Sequence, residues 1–111
     1  MSSNTTLEDQ VASRLSELGF RFAEHPIAMG LYPDFLIGLS DNRNVIVEVK
    51  DSHLIDQNAA VKQLDRYITL LGAVGGFLVV GESRSPEMVG DRVSLIGLNE
   101  LPQALARLRA T

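Results

Sequence analysis

The chain has 111 residues, 45% hydrophobic and 22% charged, with a net charge of −4 and neither cysteine nor tryptophan. That length suits one compact domain over residues 1–111, and the missing cysteine excludes disulfides, thiol nucleophiles and thiolate metal sites. With no apolar run near the about 18 residues of a membrane-crossing helix, and a polar start from Met1 to Thr6 unlike a secretion signal, a cytoplasmic location is expected.

In chain order, Leu7, Val11, Leu15 and Leu18 recur at helical spacing, so residues 7–18 are predicted as an amphipathic helix. Thr5 or Thr6 can cap it, and Gly19 ends it. Residues 20–24 alternate apolar and polar, as a half-buried strand does. Two prolines and Gly30 mark a loop up to Pro33. Phe35 to Leu39 suits a strand entered from Asp34, residues 40–44 form a polar turn of hairpin length, and the β-branched run Val45 to Lys50 is the clearest strand of the chain. A second helix is predicted over residues 56–71, with Ala60, Leu64, Tyr67, Ile68 and Leu71 on one side and Gly72 as its stop. Gly76 to Gly81 is a wholly apolar strand of the kind found at a buried central position. A charged loop with Pro86 leads to a strand over Val93–Leu98, then to a helix capped by Asn99 with Leu101, Leu105 and Leu108 inward. The order α-β-β-β-α-β-β-α implies an α/β fold in which helices flank a mixed sheet.

The chemistry concentrates in Pro33-Asp34, followed fourteen residues later by Glu48-Val49-Lys50. Alternation along a strand puts Glu48 and Lys50 on one face. If residues 34–39 pair with 45–50, Asp34 joins them at the same end of the sheet. Two hard carboxylates suit Mg²⁺ or Mn²⁺, which keep waters and take phosphate oxygens as further ligands. The main-chain carbonyl of Val49 can complete that shell, and Lys50 is close enough to orient a water or to act as a point charge. A blander reading is also open, with Glu48 and Lys50 as a solvated strand end and Asp34 as a turn residue.

Pro33-Asp34, the spacing, and Glu48-Val49-Lys50 resemble the signature of the PD-(D/E)XK, or restriction-endonuclease-like, nucleases. The predicted order of elements over residues 7–81 is similar to that family's αβββαβ core. The resemblance implies a divalent-metal-dependent nuclease that hydrolyses DNA, with Asp34, Glu48 and Lys50 at its centre and Mg²⁺ or Mn²⁺ as cofactor. In several branches an acidic residue of the first helix joins the metal, and Glu8 is the best match, similar to Holliday-junction resolvases. Glu8 also fits a capping box with Thr5, and both readings stand. Gln63 and Tyr67, one turn apart on the second helix, resemble a feature of RecB-type nucleases and imply groups that position Lys50 or a phosphate. A half-buried tyrosine beside a solvated glutamine accounts for the same pair.

The acidic balance counts against a free-standing nucleic-acid binder, which ordinarily carries a basic patch. Carboxylates that hold a cation no longer repel phosphate, however, and eight of the ten basic residues are arginine. An alternative is a catalytically silent nuclease-like module that binds nucleic acid or a protein partner. A third is an interaction protein in which the motif is coincidental. Cutting two strands or a junction would take two sites, which a homodimer supplies. His25 and His53 are read as solvated loop residues, with His53, three residues past Lys50, the better accessory candidate.

Overall fold

The computed structural model describes residues 6–26, 30–31, 33–39, 42–50, 57–81 and 84–110; His53 and Asp56, the expected first residue of the second helix, lie outside them. Helix α1 spans Leu7–Glu17 and is followed by strands β1 (Arg21–Glu24), β2 (Phe35–Gly38) and β3 (Asn44–Lys50). Helix α2 (Gln57–Leu71), strands β4 (Gly75–Val80), β5 (Glu87–Met88) and β6 (Val93–Gly97), one 3₁₀ turn (Leu98–Glu100) and helix α3 (Leu101–Ala110) complete the chain order.

Among the described residues, six strands form one mixed sheet in the order β1-β2-β3-β4-β6-β5. The first three are antiparallel neighbours, whereas β3, β4 and β6 run parallel. Strand β3 is therefore the seam between the two halves. It pairs on both sides, which is why the sequence there is an unbroken β-branched run buried on both faces.

Alternation along β3 divides the core. Val45 and Val47 face a layer made by α1 and α3, packing with Val11, Leu15, Leu101 and Leu105. Ile46 faces the other layer, with Leu64, Tyr67 and Ile68 of α2. The approach of α2 to β4 is close enough that a Cβ on Gly76 would lie 2.9 Å from both Cγ and Cδ1 of Leu64.

The α/β class, the mixed sheet and the flanking helices are those the sequence implied. Four local expectations differ. Leu18 leaves the apolar stripe and is 41% exposed, because α1 ends at Glu17 and the chain turns through Gly19 at φ +74°. The short strand β5 adds an edge where a loop was expected, pairing Glu87 with Leu95. Asn99 does not cap α3: it lies inside the 3₁₀ turn, and its side-chain oxygen accepts a hydrogen bond from Arg14 at 3.4 Å. The α1 capping box, finally, uses Thr6 and Asp9 instead of Thr5 and Glu8. Among the described residues no helix is long and apolar enough to cross a membrane.

Candidate metal centre

The β2–β3 register pairs Phe35 with Val47, which puts Asp34, one residue before β2, across from Glu48. Glu48 and Lys50 are in phase with Ile46, on the face that packs on α2, while Asp34 precedes β2 and lies beside Glu8 and His25. Two hydrogen bonds lock the acids in place. The N–H of Asp34 donates to Oε1 of Glu48 at 3.0 Å. The N–H of Val49 donates to Oδ2 of Asp34 at 2.7 Å. Val49 thus meets the centre through its amide.

Glu48 is 6% exposed, the one buried charged residue among those described. Burial first, and then the charge of the Asp34 carboxylate, push its pKa up to about 7. The Asp34 N–H and the charge of Lys50 act in the opposite direction without cancelling the rise. Glu8 is raised too, again by burial and then by Asp34, with His25 opposing. Asp34 therefore stands between two carboxylates and disfavours the ionisation of both.

Glu8 reaches the centre because the helix cap does not use it. The N–H of Asp9 donates to Oγ1 of Thr6 at 3.0 Å, and the Thr6 N–H donates to Oδ2 of Asp9 at 3.3 Å. One residue of offset leaves the Glu8 side chain free to approach His25, whose Nε2 lies 3.1 Å from Oε1 of Glu8. One ligand atom each from Glu8, His25 and Asp34 lies within 4.8 Å of the others.

His25 is the residue that reading the sequence missed. Glu24 pairs with Phe35, so the following position falls opposite Asp34, and the His25 N–H donates to the Asp34 carbonyl at 2.8 Å. His25 also adopts φ +52°, a left-handed conformation uncommon outside glycine. The available signal was its place one residue past an alternating strand that pairs with the strand entered from Asp34. The donor set of two carboxylates and an imidazole, from Glu8, Asp34 and His25, with Glu48 bonded to the Asp34 N–H beside it, fits a divalent cation. Its oxygens suit Mg²⁺ and Mn²⁺, and its nitrogen extends the range to softer ions.

Lys50, Gln63 and Tyr67 are brought together differently. They line a groove of about 770 Å³ on the α2 side of the sheet. The Gln63 side-chain N–H donates to the Tyr67 hydroxyl at 3.0 Å. Tyr67 is buried and Gln63 exposed. Among the described residues no hydrogen bond joins either of them to Lys50, so Lys50 is the point where the acidic centre meets the groove.

No family model matches the chain, and no curated protein matches it. Among solved structures it is similar to a chain of the half-complex from the tetradecameric assembly of Thermococcus gammatolerans McrB AAA+ hexamers with bound McrC. The TM-score is 0.62 at 10% identity, over 97% of this chain and 34% of that chain. The chain thus spans about a third of the length of that chain, and the two share a fold.

Proposed function

We propose that the chain is a divalent-metal-dependent nuclease of the PD-(D/E)XK class that hydrolyses DNA phosphodiester bonds. The observation that supports this most is the position of Asp34. It takes the Val49 N–H at 2.7 Å and gives its own N–H to Glu48 at 3.0 Å. It also shares a 4.8 Å cluster with Glu8 and His25.

In this reading Asp34, Glu48 and the Val49 carbonyl hold Mg²⁺ or Mn²⁺, with Glu8 and His25 as further ligands. The bound cation supplies charge stabilisation at the phosphoryl group and a more acidic water. The two amide hydrogen bonds keep both carboxylates oriented before substrate arrives, which lowers the reorganisation needed during reaction. Lys50, on the same face as Glu48, donates to the attacking water or to a non-bridging phosphoryl oxygen. The water oxygen bonds to phosphorus as the P–O bond to the leaving oxygen breaks. The proton lost by the attacking water passes to solvent, and the leaving oxygen takes up a proton from solvent water. Gln63 and Tyr67 position the phosphate from the α2 side, and a homodimer would bring two such centres to one DNA.

Calorimetric titration of Mn²⁺ into the wild type and into Asp34→Ala/Glu48→Ala, together with a cleavage assay on branched, single-stranded and duplex DNA, tests the reading. Metal binding and cleavage in the wild type, both lost in the double variant, are expected. Metal-dependent cleavage that survives Glu48→Ala would overturn it. Metal binding without cleavage of any DNA would favour the silent module, a reading that the net charge of −4 supports.

A further inference from the structure

The groove beside Lys50 carries chemistry that the metal centre does not use. Lys62 and Arg66 line it from α2, one helical turn apart. Among the described residues neither is in an ion pair. The remaining charge of this stretch of α2 is already matched, since Asp65 holds Arg92 at 2.8 Å and Thr69 accepts from the same guanidinium at 2.6 Å. An acidic chain thus concentrates three cations, Lys50, Lys62 and Arg66, at one opening next to its carboxylates. Between them the lining is apolar, from Leu31, Ala60 and the Tyr67 ring.

Those two properties belong to different parts of a nucleotide. Cations a turn apart suit successive backbone phosphates. An apolar floor suits a base face, but a duplex has its base faces stacked on one another and offers a protein surface only base edges and sugar–phosphate. An unstacked base has that face to give. The volume of about 770 Å³ lies within the range of small-molecule sites, roughly 300–1,000 Å³, enough for a nucleotide unit.

We propose that this groove holds an unstacked nucleotide of single-stranded nucleic acid beside the metal centre, with Lys62 and Arg66 on backbone phosphates and Leu31, Ala60 and Tyr67 against the base and sugar. The proposal rests on the nuclease reading for its choice of ligand, and makes single-stranded or frayed segments the preferred substrate.

Fluorescence anisotropy in metal-free buffer, where hydrolysis does not occur, tests it with a labelled oligothymidylate and a blunt hairpin of equal charge. The wild type is expected to bind the single strand at least about ten times more tightly than the hairpin. Lys62→Ala/Arg66→Ala, at two exposed helix positions, should lose about ten-fold and flatten the salt dependence by the equivalent of roughly one to two phosphate contacts. Ala59→Trp, filling the groove from another exposed position of its lining, should weaken single-strand binding with the salt dependence unchanged. Equal affinity for hairpin and single strand, or single-strand affinity indifferent to all three substitutions, would overturn the proposal. If the preference is present but Mn²⁺-dependent cleavage is not, the nuclease reading fails and the groove assignment stands.

Discussion

The N–H of Asp34 donates to the carboxylate of Glu48 at 3.0 Å, while the carboxylate of Asp34 takes the N–H of Val49 at 2.7 Å. Each acid is thereby bonded to the backbone of the segment that carries the other. Neither can swing away without releasing a main-chain donor at a partly buried position, at a cost of about 1–3 kcal/mol. The carboxylates are held near one another despite their repulsion, and several measurable consequences follow from that arrangement.

Stability without metal should depend on pH. The folded protein raises Glu48 to about 7 from an ordinary value of 4.5, so it favours the protonated form more than the unfolded chain does. That contribution is complete below pH 4.5 and is lost as pH rises through 7. Thermal unfolding in EDTA should show the melting temperature falling between pH 5 and pH 8, by an amount equivalent to on the order of 3 kcal/mol. Glu48→Gln keeps an oxygen for the Asp34 N–H and removes the charge, so its melting temperature should vary less over this window and exceed that of the wild type at pH 8. A wild-type melting temperature that rises over the same window would contradict the assignment.

Metal should reverse the effect. Mn²⁺ at a hundred times its dissociation constant stabilises by about 2.7 kcal/mol, a rise of roughly 10–20 °C for a domain of this size. Binding near pH 7 should also release protons from Glu48, whose pKa is about 7. Calorimetry in two buffers of different ionisation enthalpy detects that release as a difference in apparent binding heat.

Lys50 should separate binding from turnover. Lys50→Ala is expected to keep Mn²⁺ affinity within about three-fold and to lose about 10²–10⁴ in cleavage rate, the range for removing a group that acts on the reacting atoms. Unchanged cleavage would take Lys50 out of the mechanism.

His25 should tune the choice of ion. An imidazole ligand favours later transition metals over Mg²⁺, so His25→Ala should weaken Zn²⁺ by at least about ten-fold and leave Mg²⁺ within about three-fold. A parallel loss for both ions would mean that His25 acts only through the backbone hydrogen bond and its unusual φ.

Gly76 supplies a prediction about the fold alone. A Cβ there would press on Leu64 at 2.9 Å, so Gly76→Ala should destabilise by about 1–3 kcal/mol, read as a lower denaturation midpoint in urea with the slope retained.

Residues 44–50 and 57–71 were legible because a seam strand and a long helix follow simple periodicities, and the Asp34–Glu48 proximity follows from hairpin pairing alone. What escaped depends on competition between near-equal local choices. Thr5 and Thr6 are both good caps, and selection of Thr6 with Asp9 decides that Glu8 is available to His25. Pairing of β1 with β2 brings His25 opposite Asp34, a relation visible only once the register is fixed. Leu18 satisfies the helical period of its stripe, but the period runs one residue beyond the helix that Gly19 allows. Asn99 is a good cap by type, yet the 3₁₀ turn absorbs it before α3 begins. The two-residue strand β5 has too few residues to leave any pattern.

Strand β3 carries Glu48 near one end and begins, at Asn44, next to the tip of the β2–β3 hairpin. Six steps along an extended chain separate Asn44 from Lys50, roughly 20 Å. A fluorophore or a grafted peptide introduced near Asn42, which is exposed and already in the left-handed region at φ +68°, would therefore sit at the opposite end of the sheet from the carboxylates. That tip is the natural attachment point for a reporter or an added targeting segment that must leave the centre undisturbed.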